Sequence, residues 1–282
     1  MARIVGSVMS THVPAIGGAI ERHLEQEPYW KPFFDGYEPV HRWLDEVRPD
    51  VAVVFHNDHG LNFFLDKMPT FAIGCAPEYR HADEGWGIPT VAPFPGDPEL
   101  SWHLVESLVA DEFDVTTCQE MLIDHAITNP MSLLWPDRQG PGVRIVPITV
   151  NTVMFPFPSA KRCFALGQAV GRAIASYEAE PDLRVVVMGT GGLSHQLDGT
   201  RAGFINKEFD LKFLESLADD PTWATQYSGE DLVALTGSQG VELLMWLAAR
   251  GALLGGAKQV TANYHIPISN TAAGTVVLEP AA

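Results

Sequence analysis

Ten histidines punctuate this sequence, and three of them stand just past apolar, strand-like runs. His12 follows Arg3–Val8. His59 follows Val51–Phe55, inside the run HNDH. His195 follows Arg184–Met188, after the glycine run GTGG. In open α/β sheets, ligands bind outside the carboxyl ends of the strands. Any one of these residues alone reads as an ordinary loop histidine, but three delivered to one edge are better explained by a site. His23, His41 and His103 fall in helical stretches and read as surface or half-buried side chains.

Glu242 is the most informative single residue. Between Asp231 and Glu279 it is the only acidic side chain, and it stands in GVELLMWLAARG. An ionised carboxylate among such neighbours is costly unless it is solvated, paired, protonated or bound to a metal. Pairing with Arg250 or reaching the solvent rim are the plain alternatives. With His12 and His59 available, a metal is the economical compensation. Two imidazoles and one carboxylate leave coordination positions open, which suits non-haem Fe(II) and oxygen chemistry. The same set also resembles the ligands of some zinc hydrolases. No HExxH pattern is present.

Within HNDH, His59 is preferred to His56, which directly extends the strand. Asp58 is either a partner that orients an imidazole or a turn former. Gly189–Gly192 lack the GxGxxG spacing and read as a tight turn that places Ser194 and His195. No GxSxG elbow is present, and adjacent residues seldom point at each other, so a serine hydrolase is not indicated.

The elements that must position these residues are legible as alternating runs. Strands are expected at Arg3–Val8, Val51–Phe55, Thr70–Ile73, Arg144–Val150, Arg184–Met188, Val260–Ile266 and Thr275–Leu278. Helices are expected at Pro39–Val47, Pro98–Val109, Ala160–Tyr177, Phe204–Leu217 and Gln239–Ala249. Strands apolar on both faces, separated by helices, predict a sheet covered on both sides. The expected fold is therefore a single-domain α/β/α sandwich over residues 1–282, with a central mixed sheet. The Gly- and Pro-rich region from Lys67 to Pro98 carries aromatics throughout and reads as an ordered loop system.

The chain has 282 residues and a net charge of 18 − 35 = −17, with 46% hydrophobic residues. That balance describes a globular protein and disfavours nucleic acid and anionic membrane surfaces as partners. No stretch approaches a membrane span, and no signal peptide opens the sequence. Cys75, Cys118 and Cys163 are scattered, an odd count without CxxC, so reduced thiols in a cytoplasmic protein are expected.

Ordered motifs run nearly end to end. They include Ser10–Gly17 (STHVPAIG), Asn57–His59 (NDH), Pro69–Ala76 (PTFAIGCA), Ala82–Gly87 (ADEGWG) and Asp124–His125. Later come Gly189–Gln196 (GTGGLSHQ), Arg201–Asp210 (RAGFINKEFD), Gly240–Leu247 (GVELLMWL) and Tyr264–Ala272 (YHIPISNTA). On these the chain resembles the type III extradiol ring-cleavage dioxygenases. That family includes the catalytic β subunit of protocatechuate 4,5-dioxygenase and the gallate and 3-O-methylgallate dioxygenases.

The resemblance implies that His12, His59 and Glu242 are Fe(II) ligands and that His195 is the acid/base residue. It places His125 near the substrate oxygens, and Ser269 and Asn270 at the substrate carboxylate. The implied reaction opens a carboxylated catechol of protocatechuate type with O2 beside its two hydroxyls, giving a muconic semialdehyde. Gallate or 3-O-methylgallate are the alternative substrates. An oligomer is expected, and the extra C-terminal helical domain of gallate dioxygenase is expected to be either absent or supplied by a separate small helical α subunit. Two departures, IPTV after ADEGWG and DHAITNP around His125, bear on the preferred ring substituent.

Overall fold

A computed structural model of the chain describes residues 1–85, 88, 90–136 and 142–281. Trp86 and Gly87 of ADEGWG and Pro89 of IPTV lie outside the described residues. Strands β1 (Arg3–Ser10), β2 (Val51–His56), β3 (Phe71–Gly74), β4 (Glu78–His81), β5 (Phe94–Pro95), β6 (Thr116–Cys118) and β7 (Leu122–Ile123) occupy the first half. Strands β8 (Arg144–Val150), β9 (Arg184–Thr190), β10 (Ala257–Ile268) and β11 (Thr271–Pro280) complete the set. The main sheet runs β10-β11-β1-β9-β2-β8-β3-β6, and β5-β4-β7 form a small second sheet. Neighbours β1, β9, β2 and β8 are parallel, whereas β11 runs antiparallel to both β1 and β10, and β3 runs antiparallel to β8 but parallel to β6. The expected mixed sheet is therefore present.

Helices cover both faces of this sheet. They are α1 (Pro14–Glu21), α2 (Lys31–Asp35), α3 (Glu38–Val47), α4 (Pro98–Ala110), α5 (His125–Leu134), α6 (Ala160–Ser176), α7 (Lys207–Asp219), α8 (Gly229–Thr236) and α9 (Leu243–Ala252). Successive side chains of a strand point to opposite faces, and β2 shows the consequence. Val51, Val53 and Phe55 enter the core packed by α4, α6 and α9. Ala52 and Val54 enter the core packed by α1, α3 and α5. Such a strand must be apolar at every position, which is why VAVVF carries no polar alternation.

Several expected elements change at their ends. The helix expected from Phe204 begins at Lys207, because the Asn206 side chain accepts from the Phe209 N–H and caps it. The helix expected from Gln239 splits into a 3₁₀ turn, Gly240–Glu242, followed by α9. His23 is not helical: α1 ends at Glu21 and His23 has φ 53. The three cysteines are free thiols. Among the described residues, no helix is long and apolar enough to cross a membrane.

Helices α6 and α9 approach so closely that only glycine fits between them. A Cβ on Gly167 would lie 1.9 Å from the Ala248 carbonyl oxygen. Gly167→Ala is expected to destabilise the fold by about 1–3 kcal/mol through overpacking, although alanine is the better helix former. Urea denaturation should show a lower midpoint with an unchanged slope; an unchanged midpoint would mean that the helices separate without penalty.

Candidate active site

The four central parallel strands end at the same edge of the sheet, and each feeds one cavity of about 1130 Å³. β1 delivers His12, β2 delivers Asn57 and His59, β8 delivers Thr152, and β9 delivers Gly192 and His195. His125, at the start of α5, and Glu242, at the junction of the 3₁₀ turn with α9, complete the wall. The cavity thus sits where the parallel strands' carboxyl ends predict a ligand.

Glu242 is 5% exposed. Its Oε2 lies 3.3 Å from His12 Nε2 and 3.7 Å from His195 Nε2, and its Oε1 lies 4.0 Å from His59 Nε2. The Gly192 N–H donates to Oε2 at 2.6 Å, and Asn57 Nδ2 donates to Oε1 at 3.3 Å. Gly191 makes this approach possible: its φ is +136°, and a Cβ there would stand 2.8 Å from the Glu242 Cβ. The GTGG turn therefore admits Glu242 as well as placing His195. Arg250 is not the partner of Glu242; it donates to the Leu217, Leu253 and Gly255 carbonyls.

The imidazoles share one arrangement. Each has its Nδ1 occupied by a group outside the cavity, which leaves Nε2 for the site. His59 Nδ1 meets Asp124 Oδ2 at 3.0 Å, and the His59 backbone N–H donates to the same oxygen. His125 Nδ1 meets Glu84 Oε2 at 2.6 Å. His195 Nδ1 donates to the Leu193 carbonyl at 2.9 Å, and His12 Nδ1 meets the Thr190 hydroxyl at 3.3 Å. A partner on one ring nitrogen fixes which nitrogen is free for a metal or a substrate. The His59 and His125 rings stack at 4.1 Å, and His12 stands edge-on to both.

Electrostatically the site is a cluster of anions seeking positive charge. Burial alone would raise the carboxyl groups, but the imidazoles reverse this. Glu242 is held far below the usual carboxylate range by His12 and His195, and Asp124 likewise by His59. Glu84 is lowered to about 2 against its burial by hydrogen bonds to His125 and His81. Burial opposes the charge on His59, yet Asp124, Glu242 and Glu84 raise it to about 9. Burial lowers His125, and the neighbouring His59 and His12 lower it further against the pull of Glu84. One buried carboxylate, Glu242, facing converging Nε2 atoms fits a cation, and the nitrogen and oxygen donors suit a divalent transition metal. The nitrogens of His12, His59 and His125 also lie within 4.8 Å of one another, a second possible ligand set.

Other expected residues sort differently. Asp58 is a turn former: it accepts from the backbone N–H groups of Gly60, Leu61, Asn62 and Phe63. Asp124 takes the orienting role instead. His56 ends β2 as a buried side chain bonded to the Asn57 carbonyl and Thr149. Ser269 and Asn270 form the β10–β11 turn, both with left-handed backbone, and Ser269 lines the cavity. Ser194 and His195 do not face each other; the Ser194 Oγ donates to Asp210 Oδ1 at 2.6 Å.

Sequence reasoning passed over the residues behind the site. Asp124 and Glu84 are remote in the chain from the histidines they hold, or sit in an unrecognised helix cap. Asp210, 1% exposed, accepts from the Ser194 N–H and Oγ and, through Oδ2, from the Tyr264 hydroxyl at 2.8 Å. It thereby ties the loop that carries His195 to β10.

Residues 6–274 match the family described as the catalytic LigB subunit of aromatic ring-opening dioxygenase. The chain belongs to that family. It is 40% identical over 198 residues to gallate dioxygenase of Pseudomonas putida, covering 70% of this chain and 57% of that protein. A second relative is 2,3-dihydroxyphenylpropionate/2,3-dihydroxicinnamic acid 1,2-dioxygenase of Cupriavidus necator. It is 29% identical over 287 residues, covering 84% of this chain and 88% of that protein. The chain thus spans little more than half the length of the gallate enzyme. The crystal structure of an uncharacterized protein from Escherichia coli K12 shares the fold, with a TM-score of 0.52 at 15% identity, over 97% of this chain and 99% of that one.

Replacing Asp210 with Ala leaves the buried Ser194 donors without an acceptor, so a loss of about 2–4 kcal/mol in unfolding free energy is expected. Asp210→Asn keeps an acceptor and should recover most of it. Equal stability of the alanine variant and the parent in urea would show that the His195 loop is held by its other contacts alone.

Proposed function

We propose that this chain is an Fe(II)-dependent extradiol dioxygenase that opens the ring of a carboxylated catechol. The observation that carries the reading is the convergence of His12, His59 and Glu242, with His195 beside them, at the strand ends of a chain in the ring-opening family. In this reading His12, His59 and Glu242 hold the metal. When bound, Fe(II) supplies Lewis acidity and one-electron chemistry with O2. A gallate-type ring stands level with the protocatechuate type as substrate, since gallate dioxygenase is a 40% identical relative. The muconic semialdehyde product follows from cleavage beside the hydroxyls. No observation favours the zinc-hydrolase alternative.

The chain's own residues account for the proton movements. His195 gives its Nδ1 hydrogen to the Leu193 carbonyl, so the neutral ring presents an Nε2 lone pair to the cavity. That atom is placed to take a proton from a ring hydroxyl and return it later. Glu242, 3.7 Å away, stabilises the imidazolium while it carries the proton. His125, fixed by Glu84, presents its Nε2 beside His59 and suits a hydrogen bond to a substrate oxygen. Ser269 offers a hydroxyl at the cavity wall, with Asn270 next to it on the same turn. Val153, Phe155 and Leu197 line the cavity yet remain about half exposed. An apolar rim of this kind supports a covering partner, such as a small helical α subunit or a second copy in an oligomer.

Anaerobic loading with Fe(II), followed by gallate, protocatechuate or 3-O-methylgallate in air, should consume O2 and yield a yellow ring-opened product. Silence with all three would rule out the reading. Metal content separates the two ligand sets. Glu242→Ala should lose at least about tenfold in iron affinity, whereas His125→Ala should retain iron; the reverse outcome would transfer the third ligand position to His125. His195→Gln should keep its iron but turn over about 10²–10⁴-fold more slowly. Normal turnover in that variant would exclude His195 as the proton carrier.

A further inference from the structure

Among the described residues, Arg22 is the one lysine or arginine on the cavity wall. It follows α1, the helix that starts two residues after His12. Its Nε donates to the Gly18 carbonyl one turn back, at 2.8 Å, and Gly18 lines the same cavity. That bond uses one edge of the guanidinium. The two Nη groups make no hydrogen bond or ion pair with any described residue, so a planar, permanently charged fork is left free. Such a fork matches a carboxylate in two-point geometry, which a hydroxyl or an amide cannot reproduce. Gly18 lies four residues past Pro14, about 6 Å along the helix axis. The guanidinium is thus tethered to the helix whose first turn adjoins His12, on the wall of the same cavity.

We propose that Arg22 is the charge anchor for the ring carboxylate and the residue that selects acidic catechols over neutral ones. This rests on the dioxygenase reading and adds to it the source of acid selectivity. Ser269, the residue expected from the sequence to approach the carboxylate, is neutral; it can orient the group but cannot offset its charge. Two carboxylates, Glu21 and Glu242, line the same cavity, so an acidic substrate needs a fixed positive charge on the wall.

The test compares gallate with pyrogallol, the same trihydroxylated ring without the carboxylate, in the Fe(II)-loaded chain. Arg22→Gln should lower the ratio of kcat/KM for gallate to that for pyrogallol about tenfold, as expected for one charge-assisted hydrogen-bonded pair. The loss should appear mainly in KM, with iron content unchanged, and Arg22→Lys should restore part of the ratio. Raising NaCl should weaken gallate use in the parent more than in Arg22→Gln. An unchanged ratio in Arg22→Gln overturns the proposal, as does a collapse of the ratio in Ser269→Ala alone. If the parent opens neither ring, the dioxygenase reading fails. In that event, equilibrium titration of gallate and pyrogallol against tryptophan fluorescence of parent and Arg22→Gln still decides the anchor. Parent preference for gallate that is lost in the variant supports it, and equal preference removes it.

Discussion

The fold is organised around a single buried charge. Glu242 is 5% exposed in a stretch that offers it no charged neighbour within a helical turn along the chain. An ionised carboxylate in that position must be compensated across space. The compensation comes from the ends of different strands: His12 from β1, Asn57 and His59 from β2, and Gly192 and His195 from β9. Glycine at 191 and the 3₁₀ turn before α9 exist at the point where Glu242 must pass close to a backbone. Moving Glu242 outward by a turn would leave imidazoles facing one another with no shared anion. Moving the imidazoles away would strand a carboxylate in an apolar wall. Sheet register and site geometry are therefore one constraint, because a one-residue slip in β1 or β9 would turn the chain that leads to His12 or His195.

Rigidity comes from a second layer of bonds. Asp124 holds His59, Glu84 holds His125, Leu193 holds His195 and Thr190 holds His12. Each uses Nδ1 and leaves Nε2 for chemistry, so the tautomers are set by the fold rather than by the ligand. Asp124 also caps α5 by accepting from the Ala126 N–H. One carboxylate thus starts a helix and orients an imidazole, which couples the placement of His125 on α5 to that of His59 after β2.

Much of this was legible in the sequence. Arg144–Val150 reads as a strand to the residue, since a doubly covered parallel strand leaves an unbroken apolar run. Helices with one apolar face, such as α3 and α4, are equally plain. Helix α5 was not, because nearly all its residues are buried and Pro130 interrupts the pattern, which removes the amphipathic period that marks a helix. The short strands of the second sheet carry too few residues to show alternation. His12, His59, His195 and Glu242 stood out because their types conflict with their apolar settings. Asp124, Glu84 and Asp210 did not, because an acidic residue in a loop or at a helix start is ordinary. Only the long-range pairing, 65 residues for Asp124 with His59 and 41 for Glu84 with His125, distinguishes them.

Net charge and site charge must be considered apart. A chain of charge −17 repels an anionic substrate at a distance. At physiological ionic strength, however, exposed charges more than about 8 Å apart are largely screened from one another. At the cavity the charges nearest the substrate dominate, because Coulomb interaction falls with distance. Glu242 on the wall of that cavity is already matched to imidazoles, while the Nη groups of Arg22 have no hydrogen-bond or ion-pair partner among the described residues. An acidic catechol that entered such a cavity would bring its hydroxyls to the matched cluster and its carboxylate to the unmatched cation. The surplus of acids on the surface then serves solubility, and selection is left to a few side chains at the carboxyl edge of the sheet.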